Sequence, residues 1–116
     1  MSEQAFFVLS ALALKPLHGY GILSEVLELS EGRVRLRVGT LYGILDRMAA
    51  SGLIAVDHEE VVDSRLRRYY RLSDPGRHAL TREAARQAAN ARIAAQRLAG
   101  FGAWIAPGAT AAGGQA

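Results

Sequence analysis

Thr40-Leu41-Tyr42-Gly43-Ile44-Leu45-Asp46-Arg47-Met48-Ala49-Ala50-Ser51-Gly52-Leu53-Ile54 is the stretch from which the rest of the chain can be placed. Leu41, Ile44, Leu45 and Met48 recur at the three- and four-residue steps of one helix face. Gly52 stands where a glycine ends a helix in the left-handed conformation. The spacing therefore predicts a helix over residues 40–51, with Thr40 and Tyr42 on its polar side near the N-terminal end. Leu53 and Ile54 then anchor the start of a strand.

Downstream, residues 54–59 and 66–72 both alternate with period two. Ile54 and Val56 alternate with Ala55 and Asp57, while Leu66, Tyr70 and Leu72 alternate with Arg67, Tyr69 and Arg71. Residues 60–65 between them are too many for a tight turn and are expected to form a projecting loop. The result is a hairpin whose second limb is rich in arginine. Ser73-Asp74-Pro75-Gly76 opens a last helix, with Ser73 or Asp74 as N-cap and proline in the first turn. Its apolar seam is Leu80, Ala84, Ala88, Ala91, Ala95 and Leu98. Residues 107–116, made of Pro, Gly, Ala, Thr and Gln, are expected to be disordered.

Upstream, residues 34–38 alternate strictly, which predicts a short strand with Arg35 and Arg37 facing outward. Ile22, Val26 and Leu29 mark a helix over residues 19–29, broken at Gly32. Phe6, Leu9 and Ala13, widened by Phe7 and Val8, mark a first helix over residues 3–14, stopped by Pro16. The order is helix, helix, short strand, helix, hairpin, long helix. It implies a mainly α (α+β) winged helix-turn-helix over residues 1–74, a C-terminal dimerisation helix over 75–106 and a tail over 107–116.

The 116 residues are 50% hydrophobic, enough for one packed core. The absence of cysteine excludes disulfide frameworks, thiolate metal sites and cysteine nucleophiles. The apolar run over residues 5–14 is about half of what a bilayer requires, and no basic residue precedes it. We expect a cytoplasmic protein with no membrane partner. His58 and His78 lack a second ligand at metal spacing, so no metal is assigned. No nucleophile–base arrangement or phosphate-cradling glycine loop is present, so neither an enzymatic role nor a cofactor is assigned.

Charge is uneven. The first 32 residues hold one lysine against four glutamates, a net of −3, and the remainder hold 13 arginines against seven acids, a net of +6. A pI near 9.8 with arginines in local groups suits a polyanionic partner, although a solvated arginine-rich surface explains the charge equally well. The helix order favours duplex DNA. A helix N-terminus in the major groove would bring Thr40 and Tyr42 to base edges. Arg65, Arg67 and Arg68 on the hairpin would lie against the backbone or minor groove. Arg35 and Arg37, just before that helix, are placed for phosphate. Tyr20 suits either a phosphate contact or core packing, and His18 suits capping or packing.

Several of these residues also resemble a known family. Pro16-Leu17-His18-Gly19-Tyr20-Gly21-Ile22, Gly39-Thr40-Leu41-Tyr42, Leu45-Asp46-Arg47-Met48 with Gly52-Leu53-Ile54, and Arg67-Arg68-Tyr69-Tyr70-Arg71-Leu72-Ser73 with Gly76 together resemble the PadR family of bacterial transcriptional regulators. The resemblance spans about residues 6–76. It implies a homodimeric repressor on a palindromic operator, released by a small molecule. Thr40 and Tyr42 inherit the DNA-facing role, and Arg67 and Arg68 the basic start of the wing's second strand. Gly43 stands where the family often has proline, Val61 and Val62 where it often has a glycine-rich tip. The short last helix matches the small subgroup with one C-terminal helix.

The alanine-rich seam of that helix would bury little alone. A dimer interface combining it (Leu80, Ala84, Ala88, Ala91, Ala95, Leu98) with Phe6, Phe7 and Leu9 is expected. Phe101 and Trp104 are the candidates for a pocket taking a small aromatic or apolar effector, although covering the dimer core or the first helix is the preferred reading of both. The alternative from another class is a winged-helix module for protein interaction or small-molecule sensing without specific DNA binding. Arg65, Arg67 and Arg68 together argue against it.

Overall fold

In the computed structural model, which describes residues 1–103, the chain forms four helices and a three-stranded antiparallel sheet. Helix α1 (Glu3–Ala11) is capped by Ser2, whose Oγ accepts the Ala5 N–H at 3.0 Å. It ends a turn earlier than the apolar pattern implies. The Leu12 and Ala13 N–H groups bond back to residues 8–10 in a tightening turn, which leaves Leu14 exposed.

A two-residue strand, β1 (Leu17–His18), leads directly into α2 (Gly19–Leu29), which buries Ile22 and Val26. Beyond α2, Ser30 is fully buried and fully used. Its Oγ donates to the Leu27 carbonyl at 3.3 Å and accepts the Val34 N–H at 2.9 Å. That bond explains one correction. Residues 34–37 are extended, with Val34 buried and Arg35 and Arg37 exposed, but they are not a strand. Their alternation records one-sided burial, and no sheet edge pairs with them.

Helix α3 (Val38–Ala50) starts two residues before Thr40 and buries Leu41, Ile44, Leu45 and Met48. Gly52, at φ +78, ends it as anticipated. The Leu53 N–H reaches the Met48 carbonyl at 2.9 Å and the Gly52 N–H reaches Ala49 at 3.0 Å, the paired bonds of a Schellman cap.

Strands β2 (Ile54–Val62) and β3 (Arg65–Leu72) pair from Ile54↔Leu72 to Val62↔Arg65. The projecting loop expected over residues 60–65 is therefore a correction. Pairing continues to the end, and a two-residue turn of Asp63 and Ser64 closes it, with φ of 52 and 63. Both central residues at positive φ match the strand twist. A bulge at Asp57 shifts the register between Val56 and His58. β1 adds to the other side of β3, through Leu17↔Tyr70 and His18↔Tyr69, giving the order β1-β3-β2.

The core gathers Val8, Leu9 and Leu12 from α1 and its end, Ile22 and Val26 from α2, Leu41 and Leu45 from α3, and Ile54 and Tyr70 from the sheet. Leu80 of α4 (Asp74–Ala99) packs against it. Ser73 caps that helix, its Oγ accepting the Gly76 N–H at 3.1 Å. Gly76 is a glycine because the backbone passes close by. A Cβ there would lie 1.9 Å from the Leu53 carbonyl oxygen.

One compact unit covers Met1–Glu83, and a second begins at Ala84. In the described part of the second, α4 continues to Ala99, and Ala84, Ala88, Ala91, Ala95 and Leu98 are all exposed. Among the described residues, no helix is long and apolar enough to cross a membrane.

Candidate nucleic-acid interface

The start of α2 is a junction. His18 ends β1 and caps the helix, its ring Nδ1 accepting the Gly21 N–H at 3.3 Å. Of the two roles the sequence left open for His18, the fold uses both, since the ring that caps α2 also meets the Tyr69 ring edge-on. Gly19 follows, buried beneath the phenol of Tyr42 from α3. A Cβ on Gly19 would sit 2.7 Å from the Tyr42 hydroxyl, so any larger residue there would displace the phenol from its present place. Tyr20 turns outward and is 71% exposed, which removes core packing as its role.

Opposite this junction the hairpin supplies Val62, Asp63, Tyr70 and residues 65–68. With His18, Gly19 and Tyr20 of the α2 start, and Tyr42 and Asp46 of α3, they line an open cleft of about 760 Å³. Both faces of the hairpin reach it, Val62, Arg65 and Arg67 from one and Leu66, Arg68 and Tyr70 from the other. Paired residues share a face, so Val61 and Leu66, Glu59 and Arg68, and Val56 and Tyr70 alternate with Val62 and Arg65, Glu60 and Arg67, and His58 and Tyr69.

The charges of the hairpin are only partly matched. Arg68 Nε donates to Glu59 Oε2 at 2.9 Å, and that hydrogen bond raises the guanidinium's already high pKa. Arg71 lies 3.8 Å from Asp57, and Asp57 also holds His58 at 2.6 Å. Glu60 accepts the Tyr69 hydroxyl at 2.7 Å. Arg65 and Arg67 have no carboxylate within 4.0 Å among the described residues, nor do Arg35, Arg37 and Arg47. Burial and the nearby Arg67 lower the pKa of His18 below its ordinary 6.5, against the opposing pull of Glu60.

The cleft thus brings together Tyr20, Tyr42, Arg65, Arg67 and Arg68 of the residues singled out in the sequence. Arg35, Arg37 and Thr40 do not line it; they are exposed on the segment entering α3 and on its first turn. His18 was read as structural only, and Asp46 was missed. Asp46 stands four residues after Tyr42, the spacing that puts two side chains on one helix face, so the signal was present.

Among the residues assigned to a dimer contact, Phe6 and Phe7 are half-buried with rings edge to face at 5.3 Å. Leu9 has no exposed surface and belongs to the core of its own unit, and Leu80 packs on that same core. Phe101 is exposed in the turn after α4. Trp104 and the tail over residues 107–116 lie outside the described residues.

Three helices, a β-hairpin packed beside the third, and a basic cleft between them define a winged helix-turn-helix protein. Residues 8–82 match the transcriptional regulator PadR-like family, and the chain belongs to it. Over 76 residues the chain is 41% identical to Transcriptional regulator Rv3488 of Mycobacterium tuberculosis, covering 66% of this chain and 67% of the relative. A PadR family transcription regulator from hypervirulent Clostridium difficile is similar with a TM-score of 0.71 at 25% identity, over 84% of this chain and 99% of that one. Bacillus subtilis PadR, in a crystal structure with operator DNA, shares the fold with a TM-score of 0.59 at 22% identity, over 66% of this chain and 44% of that one. The family expected from the sequence motifs is therefore the family found.

Proposed function

We propose that this regulator is a sequence-specific DNA-binding homodimer, a cytoplasmic repressor without enzymatic activity, and that the cleft between α3 and the hairpin seats the duplex backbone. The observation that carries the reading is the pair Arg65 and Arg67, unmatched by any described carboxylate, facing Tyr20 and Tyr42 across that cleft. Phosphates would meet the guanidinium groups and the Tyr20 phenol there, with Tyr42 left for base edges, and Arg68 would exchange Glu59 for phosphate. Thr40 on the first turn of α3 would reach base edges, with Arg35 and Arg37 on the flanking backbone. The solved complex of Bacillus subtilis PadR with operator DNA supports this use of the fold.

Residues 1–74 form the DNA-binding part and α4 the dimerisation part in this proposal. The exposed seam of Ala84, Ala88, Ala91, Ala95 and Leu98, joined by Phe6 and Phe7, meets a second copy. Leu9 is left out because it is enclosed, and Leu80 because it packs on the same core. Two copies of α3 would then enter successive major grooves about 34–36 Å apart on a palindromic operator. Release by a small aromatic or apolar effector completes the scheme.

Fluorescence anisotropy on duplexes tiled across the protein's own promoter, with competitor DNA at two salt concentrations, tests it. Saturable binding to one tile is expected, weakened in Tyr42→Ala more than non-specific binding is. Arg67→Ala should lower the slope of log affinity against log salt by about 1. Weak, uniform binding erased by salt on every tile would sink the proposal. A second reading, a module docking a protein or small ligand, draws on the exposed cross-strand pair Val61 and Leu66 at the hairpin tip. Early elution from heparin at moderate salt would favour that reading.

A further inference from the structure

We propose that His18 is the positioning residue that ties together the two walls of the DNA-facing cleft, and that it does so only while its ring is uncharged. The inference rests on the DNA reading of the cleft and adds to it a residue and a condition.

His18 has three attachments, each to a different part of the site. Its backbone pairs with Tyr69 of β3. Its ring Nδ1 accepts the Gly21 N–H at 3.3 Å and so caps α2. Its ring meets the Tyr69 ring edge-on, with centroids 5.2 Å apart and planes at 87°. Tyr69 in turn stacks on His58 at 4.3 Å and donates its hydroxyl to Glu60 at 2.7 Å. The residues just after His18 are Gly19, the seat of the Tyr42 phenol, and Tyr20. One imidazole therefore joins the α2 start, against which the Tyr42 phenol lies, to the strand that carries Arg65 and Arg67.

The cap needs a lone pair on Nδ1. A protonated imidazole has N–H groups on both nitrogens and would set a donor against the Gly21 donor. It would also add positive charge at the positive end of the 11-residue helix α2.

The groups facing His18 come from every neighbouring element. β3 supplies Arg67 and Tyr69, and β2 supplies Glu60, with His58 beyond Tyr69. Tyr42 and Asp46 of α3, Tyr20 of α2, and Asp63, Arg65 and Arg68 of the hairpin line the same cleft. Burial and Arg67 outweigh Glu60, so the ring is neutral near pH 7. With the folded-state pKa below the ordinary one, the folded chain binds fewer protons than the unfolded chain. The cap's contribution is complete above about pH 6.5 and is lost as pH falls below it.

The test compares operator binding by the full chain from about pH 8 to about pH 5.5 for wild type, His18→Asn, His18→Ala and His58→Gln. Asparagine caps helices without titrating in this range. Wild type should lose about fivefold more operator affinity over that interval than His18→Asn does, the factor for one N-cap. His18→Ala should be weak at both ends, with Asn recovering most of its loss, and His58→Gln should still lose affinity on acidification because the Gly21 cap is untouched. Equal profiles for wild type and His18→Asn would overturn the proposal. So would wild-type binding that tightens on acidification in a way Asn abolishes, since the imidazolium would then be meeting phosphate directly. Hydrogen exchange of the Gly21 amide in the free protein separates the two readings. It should accelerate on acidification relative to neighbouring amides in wild type but not in His18→Asn, whether or not any duplex binds. Absence of specific binding at every pH would sink the DNA reading and leave that amide measurement to judge His18 alone.

Discussion

Helices α3 and α4 both carry an apolar stripe at helical spacing, and the two stripes meet opposite fates. In α3, Leu41, Ile44, Leu45 and Met48 are all buried within the unit that contains them. In α4 beyond Glu83, Ala84, Ala88, Ala91, Ala95 and Leu98 are exposed, Leu98 by 71%. Periodicity names the apolar face of a helix and leaves its cover unnamed. For α3 the cover is α1, α2 and the sheet, so the opposite face, with Thr40, Tyr42 and Asp46, is free for a ligand. For α4 the seam is mostly alanine, which permits close approach of another helix while burying little area per residue. A second copy is the cover we propose.

Substitutions on the two helices sharpen this contrast or break it. Leu45→Ala removes a side chain with no exposed surface and should cost about 2–5 kcal/mol in urea unfolding. A loss as small as that of a surface change would mean the α3 stripe is not core. Gly76→Ala should cost about 2 kcal/mol or more, because its methyl would meet the Leu53 carbonyl oxygen at 1.9 Å. Gly43→Ala in α3 should go the other way and add about 0.5–1 kcal/mol. Its Cβ meets only the Arg47 guanidinium, at an ordinary 3.5 Å. Opposite signs at these two helical glycines would show that neighbouring backbone, more than propensity, decides the cost. Leu98→Ser should change unfolding of dilute protein by less than about 0.5 kcal/mol, while sedimentation shows weaker self-association. Unchanged association would take Leu98 out of the proposed interface.

Much of the fold was legible because single residues carried single meanings. Gly52 marked the end of α3, Ser73 or Asp74 the start of α4, and the Leu41–Met48 stripe the buried face of α3. What was misread depended on a distant partner in one case and on unsignalled local geometry in the others. Two residues, Leu17 and His18, cannot announce a strand; they become one only because β3 has a free edge. Residues 34–38 alternate like a strand, but Ser30 takes the Val34 N–H and no edge is near. The hairpin turn was hidden because Asp63 and Ser64 adopt positive φ without the glycine that signals it. Within the cleft, the arginines and tyrosines stood out by residue type. Asp46 was signalled by its spacing from Tyr42, whereas the coupling of His18 to Tyr69 emerged only once β1 was laid beside β3.

The carbonyl of Leu53 has a mechanical meaning. It accepts the Ser73 N–H at 3.1 Å, lies against Gly76, and belongs to the residue that closes the α3 cap, while the Ser73 hydroxyl donates to the neighbouring Gly52 carbonyl. The end of the groove-facing helix and the first turn of α4 are thus bolted at a joint with no slack. A twist applied to that first turn has no soft linker in which to dissipate.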